Sequence, residues 1–179
     1  MLNLYSRMDD TQLLLLVTSR NYAEIEQFAS NAHNRALVQK WEPIVRNIAI
    51  NYMDAQLLKS YPFKYRIALH ENAKNLQVFK FLLDVLYRGD STFLVDIPDY
   101  VYDSASEEVM KLLIEYKKYP SLWAFDKYES VLQYLKLVPH TKKLMIELLD
   151  WIDSRGDDEK QSLLKIAKDS KCFDEKPEY

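Results

Sequence analysis

Leu76-Gln77-Val78-Phe79-Lys80-Phe81-Leu82-Leu83-Asp84-Val85-Leu86-Tyr87 decides the fold class. Leu76, Phe79, Leu82, Leu83 and Leu86 recur at intervals of three and four, so one broad face of a helix is apolar. Strict alternation would signal a strand, and it is absent here. Gly89 follows, where a helix C-cap favours a left-handed residue.

Working outward, the same period governs nearly all of the chain. Asp9 or Asp10 can cap a helix over about 11–19, and a second runs over about 22–38 with Tyr22, Ile25, Phe28, Ala29 and Ala32 on one stripe. Pro43 reads as the first turn of a third helix, because its missing N–H costs nothing there. Ile44, Ile48, Tyr52 and Ala55 line that helix's expected core face, with Val45 and Leu58 beside them. Residues 64–88 are helical with a break near Asn72–Asn75. Thr92-Phe93-Leu94-Val95, closed by Pro98, is the one strand-like run and reads as a connector or short edge strand.

Downstream, Ser104-Ala105-Ser106-Glu107 reads as a capping box opening a helix through Tyr116. Ser121 or Asp126 opens the next, through Leu137. Thr141 caps another, with Leu144, Met145, Leu148, Leu149 and Ile152 on its stripe, and a last helix covers about 158–169. The fold expected is all-α: antiparallel helical hairpins stacked as a short, irregular solenoid or array. One domain is expected over 1–170, with a possible internal joint at 90–103 and a loose polar tail at 171–179.

Composition removes several function classes. Of 179 residues only two are Gly, where average usage would give about a dozen. Gly89 and Gly156 are too far apart to build a Gly-rich phosphate cradle. Apolar residues make up 48% and charged residues 28%, which suits a folded domain with a real core. The net charge of −3 argues against a nucleic-acid partner. The lone Cys172 forms no internal disulfide, and a reducing compartment is permitted. The run Leu13–Val17 is too short for a signal peptide or a membrane span. A cytoplasmic protein is expected, with no membrane partner.

Catalytic and metal constellations are sparse. His33, His70 and His140 are far apart, and neither H-E-x-x-H nor C-x-x-C occurs. His140, after Pro139, fits turn or cap chemistry, and His33 a surface position. Asp150, Asp153, Asp157, Asp158 and Glu159 lie close together but in the wrong order for a calcium loop. Helix-start acids explain the last three. No cofactor, metal site or catalytic residue is assigned.

The aromatics carry more information: 13 Tyr, 7 Phe and 3 Trp. Tyr and Trp favour places part apolar and part wet, including interfaces. Tyr100, Tyr102, Tyr116, Tyr119, Trp123 and Tyr128 cluster in the expected inter-helix loops at 98–103 and 116–128, and are the candidate partner-binding residues. Lys117, Lys118 and Lys127 lie among them and would suit an acidic segment.

A weak repeat accompanies this pattern. Leu76–Asp84 aligns with Glu107–Glu115 after 31 residues, and less well with Thr141–Asp150 about 36 further on. These intervals bracket the 33 of ankyrin units. Ala68-Leu69-His70-Glu71-Asn72-Ala73, followed by Leu76-Gln77-Val78-Phe79-Lys80-Phe81-Leu82-Leu83, resembles the ankyrin T-P-L-H-x-A helix and its V-x-x-L-L partner. The resemblance covers about half the chain. It implies stacked helix pairs, protein binding through loops and the inner helix face, and a structural role for His70 at a repeat interface. The chain departs from the family in lacking the turn glycines, in placing Pro98 and Tyr100-Val101-Tyr102 where a first helix belongs, and in giving 33–62 no place in the pattern.

The function expected is therefore a non-enzymatic protein–protein interaction module, an adaptor or effector-type binder. The alternatives are a small helical immunity or antagonist protein that blocks one target, a helical enzyme with a site assembled from dispersed residues, or a subunit unstable alone.

Overall fold

A computed structural model describes residues 10–87, 96–155 and 160–170. Every regular element among them is helical: eleven α-helices and two single-turn 3-10 segments. Thr92–Val95, Gly89, Gly156 and the tail from 171 lie outside the described residues. The chain divides into two compact units, Met1–Val95 and Asp96–Tyr179.

The first unit contains α1 (Asp10–Thr18), α2 (Tyr22–Ser30), α3 (Arg35–Asn51), α4 (Ala55–Ser60), α5 (Tyr65–Glu71) and α6 (Leu76–Tyr87). The single helix expected over 22–38 is split. Asn31 adopts extended backbone and its side chain accepts from the His33 backbone amide, while Asn34 Nδ2 donates to the Phe28 carbonyl at 3.0 Å. Asparagine side chains here offer the backbone partners that compete with a continuous helix.

Two expectations for α3 are corrected. Pro43 lies inside the helix, not at its start. It has no N–H for the Gln39 carbonyl, but Gln39 and Pro43 are both exposed, so the loss falls on the solvent side, where it is smallest. The core face is also rotated. Val38, Val45, Ala49 and Ile50 are buried together with Glu42 and Arg46, whereas Ile44 is exposed and Tyr52 is 70% exposed. A hydropathy reading cannot place two charged residues inside, so it selects the wrong stripe.

The break at 72–75 forms as the asparagines imply. The Asn72 side chain donates to the Ala68 carbonyl, and Asn75 accepts from the Val78 amide to start α6. Leu13, Ile25, Leu57, Leu69, Phe79, Leu82 and Leu83 form the core of this unit. Tyr61 is buried with them and donates to the Val38 carbonyl at 2.6 Å. Burial, and after it the Glu42 charge, pushes its phenol far above the usual tyrosine value.

The second unit contains α7 (Asp99–Ser104), α8 (Glu107–Glu115), α9 (Tyr128–Leu135), α10 (Lys142–Arg155) and α11 (Lys160–Asp169). The loop expected at 98–103 is helical. Pro98 is extended and leads into α7, Asp99 sits in its first turn, and Val101 and Tyr102 turn into the core. Because Ser104 ends α7, the cap of α8 is Ser106, whose hydroxyl accepts from the Val109 amide at 3.2 Å. Glu107 pairs instead with Lys111 at 2.9 Å. Thr141 caps α10 through the Leu144 amide. The His140 ring donates from Nε2 to the Leu135 carbonyl at 2.8 Å and so closes α9. Val101, Val109, Met110, Leu113, Leu122, Phe125, Met145 and Leu148 are buried.

The glycine scarcity leaves a mark on three helix ends. Arg20, Met53 and Lys117 adopt left-handed backbone, with φ of 56°, 50° and 56°. Each sits in the same paired pattern: Lys117 N–H bonds the Ile114 carbonyl and Lys118 N–H the Leu113 carbonyl, and the ends of α1 and α3 repeat this. This is the Schellman stop, usually closed by glycine. A side chain at that position costs about 1–2 kcal/mol.

Candidate functional site

The six aromatic residues singled out above all lie in the second unit, and the structure separates them. Tyr102 is only 6% exposed and packs edge-on against Phe125, with ring centroids 6.5 Å apart. It is a core residue, which corrects its assignment to a partner surface: α7 is a helix, so Tyr100 and Tyr102 point in different directions. Tyr116 closes α8 and Tyr128 opens α9, both half-buried. Tyr100, Tyr119 and Trp123 remain at the surface, Tyr119 58% and Trp123 50% exposed.

Tyr119 and Trp123 belong to the segment between α8 and α9. The sequence implies a loop there; the structure adds how firmly it is held. Leu122, Ala124 and Phe125 are buried beneath it, and Trp123 within the 3-10 turn Leu122–Ala124 projects outward. One carboxylate oxygen of Glu147 on α10 accepts from both the Ser121 hydroxyl and the Leu122 amide, the latter at 2.7 Å. Trp151 Nε1 donates to the Phe125 carbonyl at 3.1 Å. Arg155 stacks over the Trp151 ring at 4.8 Å and donates to the Phe125 carbonyl and to Asp126. From α7, the Asp103 carboxylate accepts from the Lys127 amide at 3.1 Å and its carbonyl from the Ser130 hydroxyl.

These braces satisfy loop amides and carbonyls that water would otherwise serve. They also fix the backbone under two exposed aromatic rings. A loop backbone already held in place loses less freedom when a partner arrives.

Beside this loop lies a groove of about 700 Å³. Tyr119, Pro120 and Ser121 line it, together with Val138, Pro139 and Thr141. Lys143, Leu144 and Glu147 of α10 also line it, with Tyr134 of α9. Burial, then the Glu147 charge and Tyr119, push the Tyr134 phenol up to about 12. Its hydroxyl therefore stays a proton donor at neutral pH.

The first unit holds a different kind of site that sequence reasoning missed. Glu42 and Arg46, 3% and 5% exposed, pair at 3.2 Å within α3. Glu42 Oε1 also accepts from the Lys64 amide at 2.7 Å, and Arg46 Nη1 lies 3.6 Å from Glu71 on α5. Glu42 Oε2 and Arg46 Nε and Nη1 are buried without a hydrogen bond. The signal available in the sequence was the i, i+4 spacing of Glu42 and Arg46 inside the Val38–Val45–Ala49 stripe. The pair ties α3 to the 62–64 segment and to α5. A cavity of about 450 Å³ adjoins it, lined in part by Arg35, Gln39, Phe63 and Lys64.

Among the described residues no group of three or more His, Cys, Asp or Glu is placed to hold a metal ion, and no helix is long and apolar enough to cross a membrane. His33 and His70 are both exposed. No family model, curated protein or solved structure matches the chain.

Proposed function

We propose that this chain is a non-enzymatic, cytoplasmic protein-binding module whose second unit presents Tyr119 and Trp123 to another protein. The observation that carries this reading is the bracing of the 117–127 segment. Exposed aromatics on a preorganised backbone match the anchors that dominate protein interfaces. Tyr100 on α7 is a further exposed ring of the same unit. Tyr116 and Tyr128 frame the segment at its two helix junctions, and Tyr102 supports it from the core.

The finer architecture proposed is a short, irregular array of helix pairs, ankyrin-like in plan. The succession of α5 with α6 and of α7 with α8 supports it, since α7 supplies a helix where the repeat pattern lacked one. Each such pair leaves one face for its neighbour and one for a partner.

The test is affinity capture from the native source with the full chain, repeated with Tyr119→Ala and Trp123→Ala. Loss of one specific partner with circular dichroism unchanged is expected. Identical capture by wild type and both variants contradicts the proposal.

A further inference from the structure

The cavity of about 450 Å³ in the first unit carries charges of both signs in its lining, one buried and two exposed. Glu42 is the buried one, at 3% exposure, and its Oε2 has no hydrogen-bond partner among the described residues. Oε1 is already engaged: it accepts from the Lys64 amide at 2.7 Å and lies 3.2 Å from Arg46 Nε. Arg46 is shared, since its Nη1 lies 3.6 Å from Glu71. One guanidinium between two carboxylates leaves one negative charge in excess. A buried carboxylate oxygen without a donor is costly, and a charged donor satisfies it best.

Arg35 and Lys64 are the exposed charges of the lining. Neither side chain takes part in a hydrogen bond or ion pair among the described residues. Arg35 precedes Glu42 by two turns of α3, a rise of about 10 Å. Val38, Pro62 and Phe63 add apolar wall. A purely anionic ligand would leave Oε2 without a cationic donor, and a purely cationic one would face Arg35 and Lys64. A zwitterion answers both. The two-turn spacing favours one whose charges stand further apart than in a free amino acid, and the cavity volume is of small-ligand size.

We propose that this cavity binds a small zwitterion of dipeptide size, with its ammonium on the Glu42 carboxylate, its carboxylate on Arg35 and Lys64, and its apolar side chain against Val38, Pro62 and Phe63. All of these residues belong to the first unit, so the site is separate from the protein-binding surface proposed for the second.

The experiment is isothermal titration calorimetry of the full chain with three probes: alanyl-phenylalanine, propanoyl-phenylalanine, which lacks the ammonium, and alanyl-phenethylamide, which lacks the carboxylate. Saturable binding of the dipeptide is expected, with each analogue weaker by about 10- to 100-fold, the worth of one hydrogen bond to a charged group. Arg35→Ala and Lys64→Ala should each weaken the dipeptide and leave the affinity of alanyl-phenethylamide unchanged. Glu42→Gln should weaken the dipeptide and leave propanoyl-phenylalanine unchanged. Lys80→Ala, an exposed lysine of α6 outside the lining, should alter neither. Absence of saturable dipeptide binding overturns the proposal, as does propanoyl-phenylalanine binding as tightly as the dipeptide. If Glu42→Gln does not fold, the Arg35→Ala and Lys64→Ala proteins decide: unchanged dipeptide affinity in both overturns the proposal.

Discussion

The two units use their polar groups in opposite ways. The first buries a Glu42–Arg46 pair inside its core, and leaves Ile44 on α3 and Tyr52 just after it exposed. In the second, the buried residues among those described are all apolar or aromatic. Its carboxylates and guanidinium work at the surface, where Asp103, Glu147 and Arg155 hold one loop. The first arrangement positions helices at a cost in desolvation. The second stiffens a surface and leaves aromatic rings free above it. The partner surface we propose lies in the second unit for this reason, although the first exposes Tyr52 to a greater degree.

The largest expected effect tests the buried pair. Arg46→Ala strands Glu42 in the core and should cost about 3–5 kcal/mol, read by urea unfolding of the full chain. Replacing both together, Glu42→Met with Arg46→Leu, should recover most of that loss. Equal destabilisation by the single and double variants would show that the charges are not what matters there.

A smaller effect is expected when the loop is unbraced. Glu147→Ala leaves the Leu122 amide without its carboxylate partner and should cost about 1–3 kcal/mol. Hydrogen exchange at Leu122 should speed up while α8 and α9 stay protected. Uniform exchange in both proteins would remove Glu147 as the brace.

The alkaline limb follows from Tyr134. Its phenol is raised above its ordinary value of 10 to about 12, so the folded state holds a proton that the unfolded state releases. That contribution is complete below pH 10 and is lost as pH rises through the folded value. Tyr61 in the first unit is shifted the same way. Absorbance titration should show these two phenols ionising only as the protein unfolds, and Tyr134→Phe should flatten the limb between pH 10 and 12. A normal titration of all tyrosines in the folded protein would contradict their burial.

The smallest expected gain is at a helix stop. Lys117→Gly keeps the left-handed turn without its side-chain penalty and should stabilise by about 1 kcal/mol, seen as a rise of a few degrees in melting temperature. A fall would mean that the Lys117 side chain contributes more than its backbone geometry costs.

Much of the helical plan was legible in the sequence because it is written locally. The 3.6 period of Leu76–Tyr87, the Asn72–Asn75 break and the Thr141 cap each depend on residues a few positions apart. The core face of α3 was not legible, since a charged pair occupies it and only the fold supplies Glu71 and the Lys64 amide. Nor was the stiffness of the 117–127 segment. Its braces come from residues some 24 to 30 positions away, a separation no local pattern encodes. The aromatic cluster was visible as composition, but separating Tyr102 from Tyr100 required knowing that α7 is a helix.

The most direct test of the central claim sets one exposed aromatic of each unit against the other. Full-length protein carrying Trp123→Ala, and separately Tyr52→Ala, is used to capture partners from the native source, with melting curves recorded for both. Trp123→Ala should lose the specific partner that Tyr52→Ala retains, at matched stability. Loss with Tyr52→Ala and retention with Trp123→Ala would place the binding surface in the first unit and contradict the assignment made here.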